Sequence, residues 1–333
     1  MRKHLLFAGI LTAVFLLNLG SGLCQVKEEQ AEKTLEIRKL PPKESSYKLS
    51  NRAALFFGYD SNANLSSIRK GDLFEEFLYS VDFTKPFLGD MKATFDYDLD
   101  VLNYNEKTDV SNILNHIRLG LHKDFLICSS GFGYDVGMLY YPNNEDGNFI
   151  FHRGFFYLKK DISNKTYHKL EFQYGLKDYR DERALAHTIN TYKDDDRFDK
   201  RSSAEYSVAS LIFPELLIRW RAKFSLNDSN AQFLDFYDYK SYKTSLSLYY
   251  KLLERVSLQS TFTYIRKKYD ERTVVQGAYR QRDNLYSATV GAVYKLDEIN
   301  SLSLHYTYRE NFSNDFFGDY SESIISFGWR CSF

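Results

Sequence analysis

Lys92-Ala93-Thr94-Phe95-Asp96-Tyr97-Asp98-Leu99-Asp100-Val101 alternates a polar residue with an apolar or aromatic one at every step. Side chains leave a strand on opposite faces in turn, so a period of two describes a strand with one apolar and one polar face. The same alternation recurs through most of the chain after Asn51. Candidate strands lie near 52–60, 74–84, 91–103, 111–122, 127–140, 148–159, 167–177, 203–213, 216–227, 240–252, 256–267, 284–296, 301–309 and 321–333. In the ninth, Ile218, Trp220, Ala222 and Phe224 share one face, and Arg219, Arg221 and Lys223 the other. In the twelfth, Tyr286, Ala288, Val290, Ala292 and Tyr294 form the apolar face. The sixth carries apolar residues on both faces, which predicts a β-bulge there.

The connections alternate strictly in length. Those around 85–90, 122–126, 161–166, 214–215, 253–255 and 297–300 are short. Those around 60–70, 104–110, 141–147, 178–201, 227–239, 269–283 and 310–320 are longer. Short periplasmic turns alternating with long external loops is the layout of an outer-membrane β-barrel, and it places both ends of the barrel in the periplasm. Pro86, Pro142 and Pro214 fall in connections, where no ladder hydrogen bond is lost. The expected fold is therefore all-β: a closed antiparallel transmembrane barrel of about fourteen strands.

Both termini agree. Arg2 and Lys3 precede an apolar run from Leu5 to Leu19 and then Gly20, Ser21 and Gly22, the layout of a secretory signal peptide over 1–24. Cleavage fits after Gly22 or after Cys24. Lipidation of Cys24 is disfavoured by Leu23, since a small residue normally precedes a lipidated cysteine. Residues 25–50 are charged, with no apolar stripe, and read as a periplasmic tail ahead of a barrel over 51–333. At the far end, Ile325, Phe327, Trp329 and Cys331 alternate with polar or small residues before the terminal Phe333. A last amphipathic strand ending in Phe resembles the signal read by the barrel assembly machinery, with Phe327, Trp329 and Phe333 as its key residues.

The composition fits the same class. Aromatic residues make up 17% of the chain, with 27 Tyr and 27 Phe, yet mean hydropathy is −0.45. Aromatic girdles around a polar lumen produce that combination. The net charge is zero, which gives no ground for a nucleic-acid partner. Cys128 and Cys331 fall on the lipid-facing phase of non-adjacent strands and have neither disulfide nor metal-ligand spacing. No cofactor or metal is implied.

The segment Gly58-Tyr59-Asp60-Ser61-Asn62-Ala63-Asn64 resembles the first strand and loop of several outer-membrane barrel families. Among them it is similar to the C-terminal barrel of the surface lipoprotein assembly modifiers. That resemblance covers 51–333 and implies a fourteen-stranded barrel that helps to export lipoproteins. The helical-repeat domain that usually precedes the family's barrel is replaced here by the short tail.

Fourteen strands at ordinary spacing and tilt give a backbone radius of about 14 Å, wider than a filled eight-stranded barrel. Function would then lie in the lumen. Asp96, Asp98 and Asp100 are expected to point inward from the third strand, near Glu76 and Asp82 of the second. Arg219, Arg221 and Lys223 are expected to point inward from the ninth, almost opposite. Such rows would set up a transverse field acting on solutes. The alternative is that each row pairs along the wall, for example with Arg118.

These features point to a passage, either a solute pore or an export channel for surface lipoproteins or polysaccharide. The alternatives are a barrel enzyme of the lipid-hydrolase type and a structural or adhesive barrel. Catalysis is not expected. His116 and His122 have no partner at catalytic spacing, and His305 with Ser303 is the nearest approach to one. The run Asp194, Asp195 and Asp196 reads as a solvated loop cluster. Outer-membrane lipids are the remaining expected partner.

Overall fold

Alternation on this scale can satisfy a barrel only if each strand finds a partner on both edges, and it does. The computed structural model describes residues 47–333 apart from 68, 145–146, 189–190, 234 and 275–278. The expected signal peptide and nearly all of the tail lie outside the described residues. Fourteen strands run in order: β1 (Lys48–Asp60), β2 (Asp72–Phe87), β3 (Met91–Tyr104), β4 (Asn112–Asp124), β5 (Ser129–Tyr140), β6 (Phe149–Ser163), β7 (Thr166–Leu185), β8 (Tyr192–Phe213), β9 (Leu216–Ser229), β10 (Tyr239–Lys251), β11 (Val256–Thr273), β12 (Arg280–Lys295), β13 (Asn300–Ser313) and β14 (Tyr320–Ser332). Each pairs with its neighbour in sequence, and β14 returns to β1 to close the barrel. The first strand begins at Lys48, within the stretch read as tail.

Burial follows the period of two. On β1, Ala54, Phe56 and Asp60 are buried while Phe57 and Tyr59 are exposed. Leu119, Phe132, Phe172, Phe262, Leu304 and Phe327 lie on the same outer phase of their strands and are also exposed. An apolar surface that encircles the molecule is tolerated only against lipid. At its edge stacks an aromatic belt, with ring centroids 5.0 Å apart for Phe224–Tyr242 and for Tyr264–Tyr286 and 5.9 Å for Tyr286–Phe312.

Two expectations are corrected. β6 contains no mid-strand bulge: its register with β5 runs unbroken from Ser129↔Lys159 to Leu139↔Phe149, and the shift on its other edge lies beside the hairpin at Asp161/Ser163. Its inward aromatics fit because β5 is bare opposite them. Phe151, Phe155 and Tyr157 occupy the volumes where Cβ atoms of Gly137, Gly133 and Gly131 would stand. The long 178–201 connection is also mostly strand, since β7 runs on to Leu185 and β8 starts at Tyr192. A crossing strand needs about 9–11 residues. Beyond the lipid both faces of this hairpin meet water, the alternation lapses, and sequence periodicity no longer reports the strand. The run Asp194–Asp196 is therefore part of β8 and exposed there, not in a loop.

The seam ends on the last residue. Asn51 N–H donates to the Phe333 carbonyl at 2.8 Å, and Phe333 N–H donates to the Asn51 carbonyl at 2.9 Å. Deleting Phe333 removes both bonds, at a cost of about 1–3 kcal/mol. The deletion variant should show a lower thermal midpoint of its heat-modifiable band and less barrel in the outer membrane. Wild-type values for both would remove the terminal residue from any role in closure.

Candidate functional site

The inward phase of the wall carries charge in two unequal halves. On β1–β5 acids predominate. Asp96 stands opposite Asp82 on one side and Arg118 on the other, Asp98 opposite Ser80 and His116, and Asp100 opposite Leu78 and Leu114. On β7–β11 bases predominate. Arg219 stands between Ala209 and Ser247, Arg221 between Ser207 and Ser245, and Lys223 between Glu205 and Lys243. β3 and β9 are six strands apart in a ring of fourteen, nearly the greatest separation.

The acids are tied laterally. Arg52 pairs with Asp82, and His116 Nδ1 lies 3.4 Å from Asp98. Asp135 on β5 is the hub: its carboxylate accepts from Arg153 Nε at 2.6 Å and from a second Arg153 nitrogen, with Arg118 Nε at 3.6 Å. Arg118 also reaches Glu171 at 3.9 Å, and Glu171 pairs with Lys169 at 2.6 Å. Arg118 stacks 3.8 Å over the Phe155 ring, one of the rings that covers a β5 glycine. Gln173 on β7 accepts from Lys223 Nζ of β9 at 2.9 Å. Asp98, His116, Asp135, Arg153, Arg118, Glu171, Lys169 and Lys223 are thus joined along the wall, the last through Gln173.

Water reaches the charged wall unequally. The Arg118, Arg153 and Lys169 side chains are 27%, 31% and 29% exposed, whereas Arg219 and Arg221 are 3% and 9% exposed. The shielded part of the inner wall lies at β8–β10, where Ser207, Ser245 and Ser247 are buried beside the two arginines. Sequence reading missed Asp135, Arg153, Lys169 and Glu171, because the first two are single charges among glycines and aromatics and the last two form a short opposite-charge pair, not a row of one sign. The cross-strand register brings Asp135, Arg153 and the Lys169–Glu171 pair together.

A second missed cluster lies at the end of the barrel that bears the long connections. Arg197 lies between Tyr179 (4.1 Å) and Tyr237 (3.3 Å), and Lys267 between Tyr239 (3.8 Å) and Tyr269 (4.3 Å). Arg272 lies over Phe236 at 4.3 Å, and Arg197 also pairs with Glu182 and Asp199. Two loops turn inward beside it. Phe236 and Tyr237 belong to the β9–β10 loop. In the β1–β2 loop, Leu65, held at φ +50°, packs on Leu285 and Tyr320. Asp60 accepts from the Asn62 N–H (2.8 Å) and the Tyr104 hydroxyl (2.9 Å), and the Asn62 amide donates to the carbonyls of Ser66 and Ser321. The motif Gly58–Asn64 therefore turns this loop into the mouth.

The remaining candidates are structural in setting. His305 fills the space over Gly291, and its ring centroid lies 6.3 Å from that of Phe56. Ser303 Oγ is buried without a hydrogen bond, so the two do not form a nucleophile–base contact. His122 bonds Thr94 and Tyr157. Phe327 and Trp329 face lipid, both exposed. Cys128 and Cys331 are free and half-buried. No group of three or more possible metal ligands occurs among the described residues.

The sequence matches no protein-family model and no curated protein. Solved structures do match. The outer membrane channel DcaP of Acinetobacter baumannii superposes with a TM-score of 0.54 at 9% identity, over 88% of this chain and 100% of that one. The anion-selective porin of Comamonas acidovorans gives 0.51 at 11% identity, over 87% and 100%. A loop-deleted OmpT, an outer membrane protein of Vibrio cholerae, gives 0.51 at 10% over the same shares. The barrel belongs in a bacterial outer membrane. Its apolar girdle calls for lipid independently of the likeness, which at this identity is one of fold.

Two outcomes test the site. Arg153→Met leaves the fully shielded Asp135 carboxylate without the guanidinium whose two nitrogens hold its Oδ2 and should cost about 3–5 kcal/mol. Asp135→Asn leaves part-exposed guanidinium groups that keep water, so its thermal midpoint should fall less; the reverse order would deny Asp135 its place as hub. In the β9–β10 loop, burial pushes the Asp238 carboxyl up to about 6, partly offset by the donating Ser229 N–H. A raised acid stabilises the fold below its unfolded value, near 4, and that contribution is lost as pH rises through about 6. The wild-type thermal midpoint should therefore fall between pH 4.5 and 7 by more than that of Asp238→Asn.

Proposed function

We propose that this barrel is a passage for small polar solutes, with its long connections facing the cell exterior, and that it is not a catalyst. The observation that carries the reading is the network from Asp98 through Asp135 to Lys169 on the inner wall of a closed barrel, whose Asp98, Arg118, Arg153 and Lys169 side chains are part-exposed. Fixed charges of both signs along a wetted wall screen solutes by charge and dipole. The names of two solved relatives, a porin and a channel, support the reading by analogy of fold. The β1–β2 loop turned into the mouth makes the passage narrow. Export of a surface lipoprotein or polysaccharide is the second reading, favoured by the Gly58–Asn64 resemblance. Under it, the inturned loops would have to move aside. The hydrolase reading has the least support, because Ser303 makes no bond to a histidine.

Purified protein should conduct in planar bilayers. Lys169→Glu should shift the reversal potential towards cation selectivity, because the accessible wall loses positive charge. Arg219→Glu with Arg221→Glu should shift it less, since those side chains are shielded. An epitope tag at Thr188 should be labelled on intact cells and one at Ser163 should not. A silent bilayer together with loss of a surface component on gene deletion would favour export. Phospholipid cleavage that depends on His305 would overturn the passage altogether.

A further inference from the structure

Among the described residues, the outer surface carries a strongly basic patch on β10–β12. Lys240 on β10 stands directly opposite Lys268 on β11, and Lys268 directly opposite Arg282 on β12. One position nearer the apolar belt on the same face, Arg266 lies between Tyr242 and Asn284. All four fall on the outward phase, which their strands share with exposed Tyr242, Leu246, Phe262 and Tyr286. The row crosses two strand spacings, about 10 Å. The Tyr242, Tyr264 and Tyr286 rings lie beside or just below it, so the cations stand at headgroup level.

Like charges directly opposite one another on neighbouring strands are destabilising, and here three stand in a row. Lys240 has a partial remedy in Asp270 at 3.4 Å. Among the described residues, no carboxylate lies within ion-pair distance of Arg266, Lys268 or Arg282. The same outer rim on β1–β5 carries Tyr59, Leu73, Glu75, Asn103 and Tyr140, so the cluster is local and not a general basic collar. Arginines beside lysines on an interfacial surface match phosphate, which guanidinium groups bind bidentately. Apolar chains attached to that phosphate would lie against Phe262 and Leu246 below.

We propose that Lys240, Arg266, Lys268 and Arg282 form a binding site for the phosphorylated sugar headgroup of an outer-leaflet glycolipid. The assignment to the outer leaflet rests on the orientation proposed above. The bound lipid would relieve repulsion within the row and fix the barrel's depth on this side.

The test uses the full barrel in detergent, titrated with bisphosphorylated lipid A, with its dephosphorylated form and with phosphatidylglycerol, and read by native mass spectrometry. Wild type should prefer the bisphosphorylated lipid, and R266Q/K268Q/R282Q should bind it at least tenfold more weakly. Conductance and heat-modifiability of the variant should be unchanged, because all three residues are on the outer face. Equal binding of phosphorylated and dephosphorylated lipid by wild type would overturn the proposal, whatever the variant does. So would undiminished binding by a folded variant, or preference for phosphatidylglycerol. A Thr188 tag labelled only in permeabilised cells would overturn the orientation and with it the outer leaflet, while leaving the pore reading standing.

Discussion

Lipid offers no hydrogen bonds. Every backbone N–H and C=O that crosses it must be satisfied by the chain itself, and a sheet meets that demand only by closing. The β1–β14 ladder, from Arg52↔Ser332 to Asp60↔Ile324, is therefore the contact on which the other thirteen depend. It joins elements more than 250 residues apart, so it forms only when both ends of the chain are present. Everything else, including which side chains meet water and which meet lipid, follows from the register that closure imposes.

Within that cylinder, polarity is reversed relative to a soluble protein. Apolar side chains are spread over the outside and charged ones packed within, so specificity inside must come from ion pairs, hydrogen bonds and stacking. The Asp135 hub and the Tyr179–Arg197–Tyr237 stack are two solutions to the same problem. A carboxylate is enclosed by guanidinium groups in one, and a guanidinium by rings and carboxylates in the other. Both are networks with several partners per charge, which is the form in which buried charge is tolerable.

The fold was legible because lipid enforces the period of two on nearly every strand where it crosses. Strand β3 could be read to within a residue. Legibility failed where the lipid ended: the outer half of the β7–β8 hairpin looked like a loop because both its faces are polar. The inward phases of Asp96, Asp98, Asp100, Arg219, Arg221 and Lys223 could be assigned from alternation alone. Their burial could not, nor could the hub on Asp135, because pairing and shielding depend on side chains from strands far away in sequence. The tolerance of β6 for inward aromatics was hidden for a related reason, since it is written in the glycines of β5.

That last arrangement has a consequence for how the protein can change over time. Gly131, Gly133 and Gly137 on one strand and Tyr157, Phe155 and Phe151 on the next share the same volumes. Enlarging a glycine alone collides with a ring, and trimming a ring alone opens a void beside Arg118 or Arg153. Neither step is neutral singly. The two strands are bound to drift together, large for small in exchange. Across divergent descendants, these three cross-strand pairs should therefore covary strongly, while lipid-facing positions beside them wander freely among apolar residues.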